Sequence, residues 1–126
     1  MGYKTIFHID DDDDDIDFFA TAVNQLSAAV SYFSFTNAGE ALQKLVTGET
    51  PPDVIFLDLN MPVINGQEFL LRLKTIESLQ DIPVIILSSS SDPYTIEQLK
   101  TQGAIDFLTK PSGIKELINL LRPYLI

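Results

Sequence analysis

Two short runs constrain this chain more than anything else in it: Asp53-Val54-Ile55-Phe56-Leu57-Asp58 and Pro83-Val84-Ile85-Ile86-Leu87-Ser88. Each is apolar without a break between polar or turn-forming residues, and lacks the alternation of a strand with one wet face. A strand apolar on both faces belongs in a parallel sheet covered by helices on each side. Lys4 to Ile9, Val30 to Phe35 and Ile105 to Leu108 repeat the pattern more weakly, giving five candidate strands. Between them the period turns helical. Ile16, Phe19, Ala20, Val23 and Leu26 share one face, and Ala38, Ala41, Leu42, Leu45 and Val46 another. Phe69, Leu70, Leu73 and Ile76 mark a third helix, Ile96 and Leu99 a fourth, and Ile114, Leu117, Ile118, Leu121 and Leu125 a fifth. The punctuation agrees: Gly48 with Pro51 and Pro52 closes the second helix, Pro83 precedes the fourth strand, and Gly103 stands where a C-terminal cap belongs.

Five strand-helix units predict a doubly wound α/β domain, because each crossover must be right-handed and both faces of the sheet must be covered. A closed barrel would need eight strands. With 126 residues, 45% of them apolar, the chain is expected to form one domain over residues 1–126. The absence of cysteine excludes a disulfide framework, a thiolate nucleophile and a thiolate-ligated metal. The formal charge is −10, but seven of the 18 acids fall between Asp10 and Asp17, leaving 11 acids against 8 scattered bases elsewhere. Neither a nucleic-acid surface nor an anionic membrane surface fits scattered bases. No apolar run approaches the roughly 18 residues of a membrane span, and Ile6 to Ile9 is too short for a signal-peptide core. The expectation is a cytoplasmic protein.

In open parallel sheets ligands bind outside the carboxyl ends of the strands. The residues placed there are Asp10 and Asp11 after the first strand, Asp58 after the third, Ser88 after the fourth and Lys110 with Pro111 after the fifth. Ile6, Phe7 and Ile9 make Asp10 the first residue past the strand; a strand one residue longer would make the acidic pair Asp11 and Asp12. Crowded carboxylates need a cation to remain ionised together, and an oxygen-only donor set selects a hard one, naturally Mg²⁺ with a phosphoryl group completing its shell. Taken singly these residues are bland: Asp13 to Asp15 read as charge at a helix start, Lys110 as a solvated lysine, and Ser88 to Ser91 as a polar loop. Their conjunction at one edge carries the signal. A calcium loop is excluded, since it needs Gly at its sixth position and Glu at its twelfth. Frames starting at Asp10, Asp11 or Asp12 place Asp15 and Thr21, Ile16 and Ala22, or Asp17 and Val23 there. His8, the single histidine, lies mid-strand and reads as a core residue.

The strings IFHIDDDDDD, DVIFLDLNMPVINGQEF, IPVIILSSS and GAIDFLTKP, in this order and spacing, resemble the receiver domain of two-component response regulators over essentially the whole chain. The resemblance implies a flavodoxin-like sheet of order 2-1-3-4-5. It implies that Asp58 accepts a phosphoryl group from a histidine kinase or histidine phosphotransfer protein. Asp11, Asp58 and the backbone carbonyl of Asn60 would then ligate Mg²⁺, with Asp10 acting largely through water. Lys110 and Ser88 would contact phosphoryl oxygens, and Ser88 with Phe107 would form the switch that alters the surface of the fourth helix, fifth strand and fifth helix. Phe107 lacks the hydroxyl of a tyrosine, so no side-chain hydrogen bond would hold its inward state. The Lys110-Pro111 peptide is usually cis in this family.

Only 15 residues follow Pro111, so the expectation is a stand-alone receiver, monomeric or dimerising on phosphorylation, that signals through a downstream protein and is not a turnover enzyme. Two rivals are weaker. A small phosphatase with an aspartate nucleophile after its first strand would need Thr or Val four residues on, where Asp14 stands, and a cap domain. A pseudo-receiver scaffold would not need the acidic pair, Asp58, Ser88 and Lys110 together.

Overall fold

Apolar runs of five residues cannot lie in a sheet unless each face meets a helix, and the sheet meets this demand by alternation within each strand. The computed structural model describes residues 2–59, 65–89 and 92–126. Its elements follow the chain as β1 Thr5–Ile9, α1 Asp13–Leu26, β2 Ser31–Phe35, α2 Ala38–Thr47, β3 Val54–Asp58, α3 Gly66–Lys74, β4 Val84–Ser88, α4 Pro93–Thr101, β5 Asp106–Thr109 and α5 Ile114–Leu125. All strand pairs are parallel, in the order β2-β1-β3-β4-β5. Fold and strand order are those expected from the sequence.

Phe7 and Ile9 of β1, Ile55 and Leu57 of β3, and Val84 and Ile86 of β4 point to one face. There they pack with Ala41 and Leu45 of α2, Phe69, Leu70 and Leu73 of α3, and Leu99 of α4. Ile6, Val54, Phe56, Ile85 and Leu87 point to the other face, against Phe19, Ala22 and Val23 of α1 and Leu117, Leu121 and Leu125 of α5. β3 and β4 are buried at every position, whereas the edge strand β2 is half solvated, which accounts for its weaker apolar run.

Caps set where the helices begin and end. Asp12, Asn37, Asn65 and Asp92 each accept backbone N–H groups at the starts of α1 to α4. Gly48, at φ 70°, ends α2 in the left-handed region, and Gly103, at φ 118°, follows α4 in a conformation other residues rarely adopt. The third helix stops two residues short of Ile76. Thr75 caps it, its Oγ1 donating to the Arg72 carbonyl at 2.7 Å, and Ile76 packs from the following turn. No described helix is long and apolar enough to cross a membrane.

Candidate functional site

The site begins where β1 and β3 run out side by side. Ile9 pairs with Leu57, so the next residues, Asp10 and Asp58, stand abreast. The Asp10 N–H still donates to the Phe35 carbonyl at 3.0 Å, which keeps that residue in line with the strand. Alternation then decides direction: Asp10 follows Ile6 and His8, Asp58 follows Val54 and Phe56, and Lys110 follows Leu108, all on the face covered by α1 and α5. Ser88 and Phe107 fall in the other phase, with Ile86, toward α3 and α4.

Asp10 is 1% exposed and Asp58 4%, while Asp11 stands in solvent. One carboxylate oxygen from each of the three lies within 4.8 Å of the others. Asp12 turns away, its Oδ1 accepting the Asp14 N–H at 2.9 Å as the cap of α1. The acidic pair that meets Asp58 is therefore Asp10 and Asp11. Burial pushes the Asp10 carboxyl up to about 6; the Asp58 charge adds to the rise, and the Asp12 N–H and Lys110 oppose it.

Lys110 bridges the cluster. Its backbone N–H donates to the Ser88 carbonyl at 2.7 Å, extending the β4-β5 ladder by one residue. Its Nζ lies 3.1 Å from Asp10 Oδ2, 3.2 Å from Asp58 Oδ1 and 2.9 Å from Asp15 Oδ2. Burial works against the ammonium, yet Asp15, Asp10 and Asp58 together outweigh it and hold its pKa above the ordinary lysine value. Three carboxylates around one amine fix its position.

Gly66 explains the end of the motif that begins at Asp58. A Cβ there would lie 2.5 Å from the Asp58 carbonyl oxygen and 2.8 Å from Leu59 Cα, so α3 starts against the backbone of the strand end only because position 66 has no side chain. Ser88 is fully buried, and Phe107 is half buried, packed on the core beneath α3 and α4. Lys110-Pro111 is trans, as there is no cis peptide among the described residues; the small trans preference of an X-Pro bond accommodates either form. Asn60 and Ser90 lie outside the described residues.

Asp15 is the residue that sequence reasoning assigned only to helix-start charge. It occupies the third position of α1, from which side chains reach back over the helix start, and here it reaches Lys110 instead of a backbone N–H. The signal for it was that spacing: three residues past the cap.

A doubly wound sheet with a half-buried, lysine-bridged acidic cluster at its carboxyl edge has the donors for a cation and an anionic group together. Comparison with known proteins narrows this to a family. The chain belongs to the response regulator receiver domain family, whose model matches residues 6–122. Two-component response regulator ORR6 of Oryza sativa subsp. japonica is 34% identical over 115 residues, 88% of this chain and 68% of that protein. A protein-glutamate methylesterase/protein-glutamine glutaminase of Bacillus licheniformis is 48% identical over 77 residues, 61% of this chain but only 21% of the relative. The chain thus spans about a fifth of that enzyme's length. Among solved structures, the phosphorylated cyanobacterial phytochrome response regulator RcpA superposes with a TM-score of 0.86 at 26% identity, covering 97% of this chain and 91% of that one.

Proposed function

We propose that this receiver takes a phosphoryl group on Asp58 from a phosphohistidine of a sensor kinase or phosphotransfer protein. The carrying observation is the Lys110 ammonium 3.1 Å from Asp10 and 3.2 Å from Asp58, beside a third carboxylate on Asp11. An Asp58 oxygen attacks phosphorus in line, an acyl phosphate forms, and the P–N bond of the donor breaks. The leaving imidazole keeps the electron pair of that bond. Catalysis of such a transfer is positioning and charge dispersal rather than covalent assistance.

The residues divide the work by charge. Asp10, Asp11 and Asp58 form an oxygen-only, crowded donor set of the kind a hard divalent cation fits; burial chiefly, and the Asp58 charge beside it, raise the Asp10 carboxyl, a cost that such an ion would relieve. Mg²⁺ is the cation proposed, with Asp11 and Asp58 as ligands, Asn60 contributing its backbone carbonyl and Asp10 acting mainly through water. When bound it disperses the charge of the phosphoryl oxygens. Lys110 exchanges a carboxylate for a phosphoryl oxygen, and Ser88 hydrogen-bonds another. Ser88 and Phe107 share one phase of the sheet, so a movement of the serine is transmitted to the aromatic and to the surface of α4, β5 and α5, where a downstream protein or a second copy docks. The reading carries with it a cytoplasmic location and no catalytic turnover.

Incubation with Mg²⁺ and acetyl phosphate, followed by intact mass measurement, tests the reading. The wild type gains one phosphoryl group and Asp58→Asn gains none. An unmodified wild type, or steady hydrolysis of phosphomonoesters, overturns it.

A further inference from the structure

One buried side-chain polar atom among the described residues has no hydrogen-bond partner, the Nε2 of His8. It belongs to the face that carries Asp10, two residues upstream in β1. The ring stacks on Phe19 of α1, with centroids 4.1 Å apart at 23°, and its Nδ1 lies 2.7 Å from the Tyr32 hydroxyl of β2. The Nε2 edge faces Asp10 Oδ2 at 3.8 Å and borders a cavity of about 40 Å³ that Lys110 and Pro111 also line. An orphaned buried polar group costs about 1–3 kcal/mol, so a branched aliphatic residue would fill this place at lower cost if packing were its only task.

The tautomer follows from the two neighbours. A proton on Nδ1 would leave the Nε2 lone pair against a carboxylate oxygen. A Tyr32 hydroxyl donating to Nδ1 puts the proton on Nε2, aimed at Asp10. Burial and the charges of Asp10 and Asp17 keep that hydroxyl protonated and able to donate. The remaining contacts of Asp10 are few: Oδ1 accepts the Asp12 N–H at 3.0 Å, and Oδ2 accepts from Lys110 at 3.1 Å.

We propose that Tyr32 and His8 form a positioning pair for Asp10, with Tyr32 fixing the Nε2–H tautomer and that N–H orienting Asp10 Oδ2 toward the cation, beside Lys110 at first and alone once Lys110 leaves it for the phosphoryl group. The inference rests on the phosphoacceptor reading, because only an incoming phosphoryl group draws Lys110 away. The cavity gives the ring, or one bridging water, room to close the gap. Such partners of metal-binding carboxylates and imidazoles typically change metal affinity by about 10- to 100-fold.

His8 is the single histidine, so its imidazole nitrogens are assigned without ambiguity in a long-range ¹H–¹⁵N spectrum. The Mg²⁺-loaded protein should show Nε2 protonated and Nδ1 bare, and Tyr32→Phe should mix the tautomers. Calorimetry with Mg²⁺ should show about tenfold weaker binding for His8→Leu, at the low end of that range. His8→Gln, whose amide nitrogen reaches the Nε2 place, should recover most of it. A wild-type Nδ1–H tautomer overturns the proposal, as does unchanged Mg²⁺ affinity in His8→Leu. Should His8→Leu fail to fold, the wild-type tautomer and the Tyr32→Phe affinity decide. A wild type that binds no Mg²⁺ or accepts no phosphoryl group overturns the phosphoacceptor reading instead.

Discussion

The two halves of the acidic run have the same side chain and opposite fates. Asp10 and Asp11 stand at the strand end with Asp58, one of them almost wholly buried, while Asp12 to Asp14 stand in solvent at the start of α1. A carboxylate in the first group meets other carboxylates and a lysine. In the second, Asp12 meets the Asp14 N–H, and Asp13 and Asp14 stand at the positive end of a helix dipole. Position relative to the last strand residue, not composition, separates the carboxylate cluster beside Asp58 from a helix cap. Asp15 belongs to both halves, since it sits in the first turn of the helix and contacts Lys110.

Metal binding breaks or sharpens this comparison with the largest effect. Asp11→Asn should weaken Mg²⁺ binding by about 100-fold or more, beyond what residues that only orient ligands contribute. Asp13→Asn and Asp14→Asn should stay within about twofold, as expected of exposed charges screened by salt. Calorimetric titration of the three variants side by side checks it. Equal losses would mean that the run attracts cations as a diffuse polyanion and that the two halves do not differ.

How far the site could be read in advance depends on which physical rule placed each residue. The strand ends were legible because unbroken apolar runs at β3 and β4 stop at Asp58 and Ser88, and parallel topology brings all such ends to one edge. Even the split between Asp10 and Asp12 was implicit in Ile9 being the last apolar residue of β1. The spacing of Asp15 from its cap marks it as a residue that reaches back over the helix start, but its partner Lys110 was not legible, since the contact joins residues 95 positions apart and depends on how α1 leaves its cap. The aim of His8 at Asp10 was hidden too: a mid-strand histidine reads as core, and only the Tyr32 hydroxyl across the β1-β2 pair gives its ring a direction.

Stability against pH separates the buried head of the run by a smaller margin. In the metal-free protein the Asp10 pKa of about 6 lies above its ordinary 3.8, so the ionised form opposes folding above pH 6 and the penalty disappears as pH falls toward 4. Asp10→Asn should therefore stabilise the protein near pH 8 by about 2 kcal/mol, taking 1.36 kcal/mol per pKa unit and some relaxation. The gain should vanish near pH 4. His8 works with the opposite sign. Burial lowers its pKa from 6.5 to about 3, so the unfolded chain gains a proton the native state refuses, and stability falls from pH 6.5 downward. Near pH 5 this loss is about 2 kcal/mol, and His8→Leu should remove it. Urea melts in chelator across this range check both signs. A pH-independent effect of Asp10→Asn would place its carboxylate with the solvated half.

The exposed half should respond least, and through the helix alone. Asp12→Ala removes the side chain that accepts the Asp14 N–H and should cost about 1 kcal/mol, as loss of an N-cap typically does. Asp13→Asn and Asp14→Asn keep the cap and lose only charge at the dipole, so about 0.3–1 kcal/mol at low salt is expected, shrinking as salt is added. Thermal melts at two ionic strengths distinguish the cases, because a hydrogen-bonded cap is little screened while a charge beside a dipole is. If Asp13→Asn and Asp14→Asn raised stability instead, repulsion from the crowded carboxylates of the strand end would extend along the run. The charge of the strand-end carboxylates would then reach into the helix, and the boundary between the two halves would lie beyond Asp12.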